Sequence, residues 1–329
     1  MPKVLVTGGA GYVGSHTAHV LLRKGTEVVV VDDLSRGYRH NVDAARLHVR
    51  PLADTDFLVS LMQREQFDAV LHFAAYALVG ESTEKPELYF RNNVAGTVSL
   101  LDAMSRVGLR RLVFSSTCAV YGEPLVVPIS EDLPKAPLSP YGESKAIVET
   151  MLSWMDRGRG MRSVSLRYFN ACGADPEAGL GEEHDPETHL IPLLLRATMT
   201  GQPITIFGDD YPTPDGTCVR DYIHVLDLAE AHIAALDWLM ADKPSGFFNV
   251  GTGSGYSVRE VLAAVEKIVG KPVPFRIGPR RAGDAPVLVA NPAKIQETLG
   301  WKARYTRIED IVSMAWEFER KHGKRRTAI

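Results

Sequence analysis

The sequence predicts an α/β protein with a Rossmann-type doubly wound parallel sheet and a smaller mixed α/β C-terminal lobe. Two observations favour this fold. Short apolar runs rich in β-branched residues alternate with helix-like stretches through residues 1–120, and a glycine-rich turn follows the first run. Such apolar runs are typical of strands that helices cover on both faces. The length of 329 residues fits two lobes at roughly 150 residues per domain.

The elements of the first lobe follow from these patterns in order. Gly25 and Gly108 come directly after two of the periodic segments, which is a helix-stop signal. The strands are predicted at Val4–Val6, Val28–Val31, Ala69–Leu71, Leu112–Phe114 and Ser163–Arg167. The helices between them are predicted at Ser15–Lys24, Thr55–Glu65, Val94–Arg106 and Tyr141–Met155. Alternation of this kind predicts a doubly wound parallel sheet.

The pattern changes after Asn170. Gly173–Thr188 is rich in Gly, Pro and acidic residues without a period, so we expect a loop. A looser mixture of helices and short strands follows, while Tyr222–Met240 and Phe247–Val250 are predicted to return to the first lobe. The predicted boundaries are residues 1–170 plus about 219–250 for the first lobe, and 171–218 and 251–329 for the second.

Composition excludes several classes of protein. The chain has 37 Lys and Arg against 40 Asp and Glu, a net charge of −3, which argues against binding nucleic acid or an anionic membrane. No apolar stretch approaches the roughly 18 residues that span a membrane. The three cysteines (Cys118, Cys172 and Cys218) form no CxxC pair, so no metal site is predicted and a reducing, cytoplasmic location is expected.

A dinucleotide site is predicted at the first strand–helix turn. Gly8, Gly11 and Gly14 are spaced three apart there, which permits a tight turn and close approach of backbone N–H groups to a pyrophosphate. Asp32 ends the second strand, where an acid accepts hydrogen bonds from the adenosine ribose and repels a 2′-phosphate. The cofactor is therefore predicted to be NAD rather than NADP.

A catalytic group is predicted beyond the next strands. Tyr141 and Lys145 are one helical turn apart on one face, so the cation is expected to lower the tyrosine pKa. Ser115, Ser116 and Thr117 end a parallel strand, and ligands bind at that end of such sheets.

Together these motifs resemble the extended branch of the short-chain dehydrogenase/reductase superfamily. Further motifs narrow the resemblance to the UDP-glucose 4-epimerase family and cover almost the whole chain. They are Val6–His16, Val79–Ser82, Asn92–Val94, Ser115–Gly122, Arg167–Asn170, Phe207–Thr213, Asp215–Val225, Arg281–Asp284 and Leu299–Trp301.

The resemblance implies a function and a set of site residues. The function is reversible C4 epimerisation of UDP-glucose and UDP-galactose through a 4-keto intermediate, with tightly bound NAD. Thr117, Tyr141 and Lys145 would be catalytic, and the cofactor would also contact Gly8, Gly11, Tyr12, Val13, Gly14, Asp32, Leu52, Phe73, Ala74, Asn93 and Phe169. The UDP-sugar would contact Thr117, Tyr168, Asn170, His189, Leu190, Thr205, Phe207, Arg220, Arg281, Asp284 and Leu288. A homodimer through the helices at Asn93–Met104 and Tyr141–Met155 is implied as well.

The alternatives are a C4 epimerase of another UDP-sugar (UDP-N-acetylglucosamine or a UDP-pentose) and a non-catalytic NAD-sensing module. A sensor of that kind tends to lose the Tyr or the Lys, and both are present here. A dehydratase is disfavoured, because its family places Asp-Glu directly after the catalytic Thr, whereas here Cys118 and Ala119 follow Thr117.

Overall fold

The computed structural model describes residues 2–281 and 283–322. The end of the predicted second lobe, residues 323–329, lies outside the described residues. The strands are β1 Lys3–Thr7, β2 Glu27–Asp32, β3 Leu47–Val49, β4 Ala69–His72, β5 Arg111–Thr117, β6 Arg162–Tyr168, β7 Asn170–Cys172, β8 Ile204–Phe207, β9 Val219–Arg220, β10 Tyr222–His224, β11 Gly246–Val250, β12 Tyr256–Ser257, β13 Phe275–Gly278 and β14 Val287–Leu288. The helices are α1 Tyr12–Arg23, α2 Thr55–Glu65, α3 Val79–Glu84, α4 Pro86–Tyr89, α5 Gly96–Val107, α6 Pro140–Arg159, α7 Leu190–Thr200, α8 Val225–Met240, α9 Val258–Val269, α10 Ala293–Leu299 and α11 Ile308–His322.

Seven parallel strands form the large sheet, in the order β11-β6-β5-β4-β1-β2-β3. The chain leaves β1 in one direction and returns to its other side at β4, which creates a switch point between these strands. Ligands bind in such sheets at the carboxyl ends of the strands beside the switch point. The predicted Rossmann-type fold is confirmed.

Two apolar layers cover the sheet, because successive residues of a strand face opposite sides. Val4 and Val6 pack on the side of α1 and α8, whereas Leu5 packs on the side of α2 and α5. Short runs of alternating burial would suit a half-exposed strand, but β1 is buried on both faces. Because both faces of such a strand are buried, its sequence is a continuous apolar run rather than an alternating one.

The remaining strands form three small sheets, β10-β7, β12-β9-β14 and β13-β8. A separate apolar core of α7, α9 and α11 lies beside them, with Leu194, Val261, Val265 and Ile311 at its centre. In the described part of the chain, no helix is long and apolar enough to cross a lipid bilayer.

The predicted order of elements needs three corrections. β3 was not predicted from the sequence, because its three residues, Leu-His-Val, carry too short a pattern. The helix expected from Val94 begins at Gly96, since residues Phe90–Ala95 form a π-helical turn. The segment predicted as Tyr222–Met240 divides into β10 and α8, with the His224 side chain accepting the backbone N–H of Leu226 at the start of the helix.

Candidate active site

The glycine turn between β1 and α1 is tightly packed against the loop after β4. Gly8 has a φ of +74°, and a Cβ on it would lie 2.4 Å from the backbone nitrogen of Ala74. A Cβ on Gly14 would lie 2.3 Å from the carbonyl oxygen of Gly8. α1 begins after Gly11 with no side-chain cap and no acidic residue in its first turn. Its free N–H groups and its dipole favour an anion, so the turn fits the pyrophosphate of a dinucleotide.

Asp32 connects the end of β2 to this turn. Its carboxylate accepts the backbone N–H of Ala10 at 2.9 Å and that of Leu34 at 2.8 Å. Burial raises the pKa of Asp32, and the two N–H donors oppose that shift. An acid therefore stands beside the glycine turn, where the sequence places the ribose-binding group.

The other predicted cofactor residues surround the same end of the sheet. The buried Tyr12 donates its hydroxyl to the carbonyl oxygen of Gly173 at 2.7 Å, and Ala74 donates its backbone N–H to Thr7. Three side chains pack against the two apolar layers of the sheet: Val13, Leu52 and Phe73. Which of them contact the cofactor stays a prediction.

Asn93 has its amide fully occupied by the protein. It lies in the π-helical turn, where its Oδ1 accepts the backbone N–H of Tyr76 and its Nδ2 donates to the carbonyl oxygen of Tyr76. Nδ2 also donates to the hydroxyl of Ser144 at 3.0 Å. Asn93 thus connects the loop after β4 to helix α6. Its contact with the cofactor stays a prediction.

The structure brings the three predicted catalytic residues together. Thr117 ends β5, and its hydroxyl lies beside Tyr141 in the first turn of α6. That helix starts at this place because Ser139 accepts the backbone N–H of Gly142 and Pro140 occupies the first helical position. Lys145 follows one turn later, and its Nζ donates to the carbonyl oxygen of Ser115 at 2.8 Å.

The expected lowering of the tyrosine pKa is not found in the structure. Burial raises the pKa of Tyr141 well above its usual value, and the nearby Thr117 hydroxyl only partly opposes that shift. The Nζ of Lys145 lies 6.0 Å from the centre of the Tyr141 ring. Burial also lowers the pKa of Lys145 itself, to about 7.

The segment Tyr168–Asn170 continues from β6 past these residues. The hydroxyls of Tyr168 and Ser115 lie 2.7 Å apart. Phe169 is buried in a small apolar cluster that also contains Leu288 at its edge, while the backbone N–H of Asn170 bonds to Asp221.

A second group of predicted residues converges around Asp284. One oxygen of this carboxylate lies 3.2 Å from Nη2 of Arg220, and the other accepts Nε of Arg281 at 3.0 Å. The guanidinium of Arg281 stands 4.9 Å above the ring of Phe207. In the strand that ends at Phe207, the hydroxyl of Thr205 accepts Nε of Arg276. Two arginines and an aromatic face are thus gathered where an anionic nucleotide is expected.

His189 and Leu190 occupy the start of α7. Nδ1 of His189 lies 2.9 Å from oxygens of both Glu182 and Glu187. Burial opposes the charge on the imidazole, but the two carboxylates outweigh it and raise the pKa of His189 to about 10. Leu190 packs against the apolar core formed by α7, α9 and α11.

Sequence reasoning missed Glu149, which lies behind the catalytic residues. Its carboxylate accepts the hydroxyl of Ser116 at 2.7 Å, next to Thr117 in β5. The spacing of Tyr141, Lys145 and Glu149, four residues apart each time, places all three on one face of α6 and was the available signal.

Residues 4–251 match the NAD dependent epimerase/dehydratase family. The chain belongs to that family.

Its relatives include UDP-glucose 4-epimerases of several bacteria. The chain is 49% identical to the UDP-glucose 4-epimerase of Streptomyces lividans over 325 residues, which is 98% of this chain and 97% of that protein. The crystal structure of the Brucella ovis UDP-glucose 4-epimerase in complex with NAD superposes with a TM-score of 0.93 at 46% identity, covering 96% of this chain and 98% of the other. The Bifidobacterium longum enzyme in complex with NAD+ and UDP gives a TM-score of 0.91 at 37% identity, covering 98% and 99%.

These relatives confirm the resemblance that the motifs predict. The prediction of an NAD-dependent enzyme is confirmed at the level of the family. The individual site residues remain predictions.

Proposed function

We propose that this chain interconverts UDP-glucose and UDP-galactose by inverting C4 of the hexose through a 4-keto intermediate. The observation that carries the proposal is the placement of Thr117 and Tyr141 beside each other at the carboxyl end of β5, with Lys145 one turn away on α6. NAD, when bound, accepts and returns the hydride of C4. Gly8, Gly11, Gly14 and Asp32 would hold it, because the uncapped start of α1 and the adjacent acid suit a dinucleotide.

In this proposal Tyr141 moves the proton of the 4-hydroxyl. Its phenolate accepts that proton while C4 is oxidised and returns it after the keto sugar has turned. Thr117 hydrogen-bonds the same sugar oxygen, and the ammonium of Lys145 stabilises the phenolate. The buried site excludes water, which strengthens the interaction between Lys145 and Tyr141.

The nucleotide would occupy the group around Asp284. Arg220 and Arg281 each present a guanidinium, which pairs well with diphosphate oxygens, and Asn170 and His189 would add hydrogen bonds. Asp284 bonds both arginines in the structure. Its carboxylate would then accept hydrogen bonds from the hydroxyls of the uridine ribose. Leu190, Thr205 and Phe207 would border the uracil, and Tyr168 the sugar.

Elimination of water is a poorer fit to the residues after Thr117. Burial raises the pKa of the Cys118 thiol to about 12, so it is a poor base at neutral pH. Ala119 has no proton to give. The site therefore supports a redox inversion at C4 rather than a dehydratase reaction.

We also propose that the chain acts as a homodimer through α5 and α6. Val98 on α5 is 51% exposed and Trp154 on α6 is 65% exposed, and burying large apolar side chains of this kind favours association. Trp154→Glu would then yield a monomer in sedimentation experiments, while Gln202→Glu, at an exposed neutral residue outside α5 and α6, serves as the charge-matched control. A monomeric wild-type chain would contradict this part of the proposal.

The reaction is tested by incubating the purified protein with UDP-galactose and measuring the UDP-glucose formed. A panel with UDP-N-acetylglucosamine and a UDP-pentose measures the sugar range. We expect conversion of the plain hexoses in both directions without added reductant. Binding of NAD with no turnover of any UDP-sugar would instead favour the NAD-sensing alternative.

A further inference from the structure

Two glutamates and two histidines converge on one point between the loop after Gly173 and the start of α7. We call this set the Glu–His cluster: Glu182, His184, Glu187 and His189. One potential ligand atom from each residue lies within 4.8 Å of the other three. None of the four takes part in the proton transfer proposed above.

The distances within the Glu–His cluster match the edges of a small tetrahedron. Nδ1 of His189 lies 2.9 Å from a carboxylate oxygen of Glu182 and 2.9 Å from one of Glu187. Nδ1 of His184 lies 3.5 and 3.6 Å from oxygens of the same two residues. Ligands at the usual zinc distances of about 2.0–2.1 Å stand roughly 3.3 Å from one another at tetrahedral angles. Four of the six edges therefore already have nearly the required length.

The two carboxylates of the Glu–His cluster are buried, whereas the side chains of His184 and His189 are 26% and 40% exposed. The side chains of Glu182 and Glu187 are 6% and 1% exposed. Nδ1 of His184 is shielded from solvent, and its two carboxylate neighbours at 3.5 and 3.6 Å form no hydrogen bond with it. A buried imidazole nitrogen without a hydrogen bond is costly, and coordination would satisfy it.

A surrounding shell already orients the Glu187 carboxylate. Its Oε1 accepts the backbone N–H groups of Thr188 and His189, at 3.0 and 3.1 Å. Its Oε2 lies 3.4 Å from Nη2 of Arg196. Metal-binding carboxylates are held by partners of this kind in their second coordination shell.

We propose that the Glu–His cluster binds one divalent transition-metal ion of the zinc class. Imidazole nitrogens favour Zn²⁺, Co²⁺ or Ni²⁺ over Mg²⁺ and Ca²⁺, which prefer oxygen ligands alone. The two carboxylates balance the charge of the ion. In this assignment both histidines bind through Nδ1, and Nε2 of His189 keeps its hydrogen for a diphosphate oxygen.

Four protein ligands leave no open position, so the ion would be structural rather than catalytic. The ion would join the loop that contains Glu182 to His189, the residue that precedes α7. The His184 ring also lies 6.0 Å from the ring of Tyr12, at the start of the helix that carries the glycine turn. Metal binding would therefore stabilise the loop where it meets the cofactor-binding helix.

The test uses the purified protein with its bound dinucleotide, freed of metal by a chelator. Zn²⁺ titration by calorimetry should give one site per chain, and Co²⁺ should give the intense visible absorption of a four-coordinate ion. His184→Gln should weaken Zn²⁺ binding by more than tenfold, because even loss of a second-shell partner costs 10–100-fold. His40→Gln is the matched control, since His40 pairs with Glu183 outside the cluster and should leave Zn²⁺ affinity unchanged.

Retention of NAD and an unchanged circular dichroism spectrum would show that His184→Gln is folded. Failure of the wild-type protein to bind Zn²⁺ would overturn the proposal, and the cluster would then be an ion-pair network around protonated histidines. Equal Zn²⁺ affinity in His184→Gln and the wild type would also overturn it, as binding elsewhere on the surface. Because these readouts need no sugar substrate, they are independent of the proposed reaction.

Discussion

The carboxylate of Glu149 is held at both oxygens by Arg167, with Nε 2.9 Å from Oε1 and Nη2 2.6 Å from Oε2. This pair joins α6 to β6, and the additional bond from Ser116 joins it to β5. Lys145 lies one turn before Glu149 on the same helix face. Glu149 therefore fixes the position of the helix that carries Tyr141 and Lys145.

Glu149→Gln should shift the pH dependence of the reaction. Burial lowers the pKa of Lys145 to about 7, and the charge of Glu149 opposes this shift. Removing that charge lowers the pKa of Lys145 further, so the ammonium is lost at a lower pH. We expect the alkaline limb of kcat to move to lower pH, measured with UDP-galactose across the neutral range.

The same substitution should destabilise the fold by about 3–5 kcal/mol, because it leaves the buried Arg167 without its partner. Glu143→Gln on the exposed side of α6 is the control, and it should change neither property. An unchanged kcat profile in folded Glu149→Gln would show that Glu149 has no electrostatic effect on Lys145.

Tyr141→Phe should leave NAD bound and lower kcat by roughly 10²–10⁴, the usual range for a positioned acid–base group. Tyr256→Phe is a matched control, because the Tyr256 hydroxyl bonds only to the carbonyl oxygen of Thr306 among the hydrogen bonds of the described residues. Steady-state kinetics with UDP-glucose formation as the readout measure both variants. Near-normal kcat in Tyr141→Phe would remove this residue from the proposed mechanism.

Asp32 should exclude NADP, because its carboxylate would meet the 2′-phosphate. We expect the wild-type apoprotein to bind NADP at least tenfold more weakly than NAD, a difference of about 1.4 kcal/mol. Asp32→Ala should reduce the ratio of the two dissociation constants, although it also removes the hydrogen bonds from the backbone N–H groups of Ala10 and Leu34. Asp33→Asn should keep the ratio, since Asp33 bonds only to Ser35 among the hydrogen bonds of the described residues. Fluorescence titration of each apoprotein gives the ratio, and equal wild-type affinities would contradict the assignment.

Leu288 should limit the size of the sugar substituent at C2. It is half-buried beside the cluster of Phe169 and Ala290, and overpacking a rigid site costs about 1–3 kcal/mol. UDP-glucose and UDP-galactose should therefore be roughly ten- to a hundredfold better substrates than UDP-N-acetylglucosamine.

Leu288→Tyr should abolish the weak N-acetylhexosamine activity and spare the main one, whereas Leu288→Met conserves volume and should preserve both. The comparison is made by kcat/KM for each sugar. Comparable wild-type values for the two sugar types would show that another side chain forms the limiting wall.

The sequence predicted the inner strands of the large sheet well because β1, β2, β4 and β5 are largely buried on both faces. Continuous apolar runs such as Val28–Val31 then leave an unambiguous local pattern. The glycine turn was equally readable, since the short distance between a Cβ on Gly14 and the oxygen of Gly8 leaves no room for another residue type.

The rest depends on contacts between distant segments. Arg167 and Glu149 carry no pattern that identifies them as a pair before β6 and α6 are placed. The Tyr141 pKa was expected to fall because helix spacing shows the nearby cation, whereas the burial that raises it arises only in the folded chain. The Glu–His cluster likewise joins a loop to a helix, and no periodicity marks its members.

The late position of β11 affects how the chain emerges from the ribosome. β6 obtains its outer neighbour only when residues 246–250 have been made. The apolar face of α1, with Ala18 and Leu21, also stays uncovered until α8 has been made, because Leu228 and Ala231 of α8 pack in the same layer. A nascent chain of 200 residues would thus expose this face and an open sheet edge together, which favours aggregation. Synthesis of this protein should consequently depend on chaperones more strongly than that of a chain whose sheet closes in sequence order.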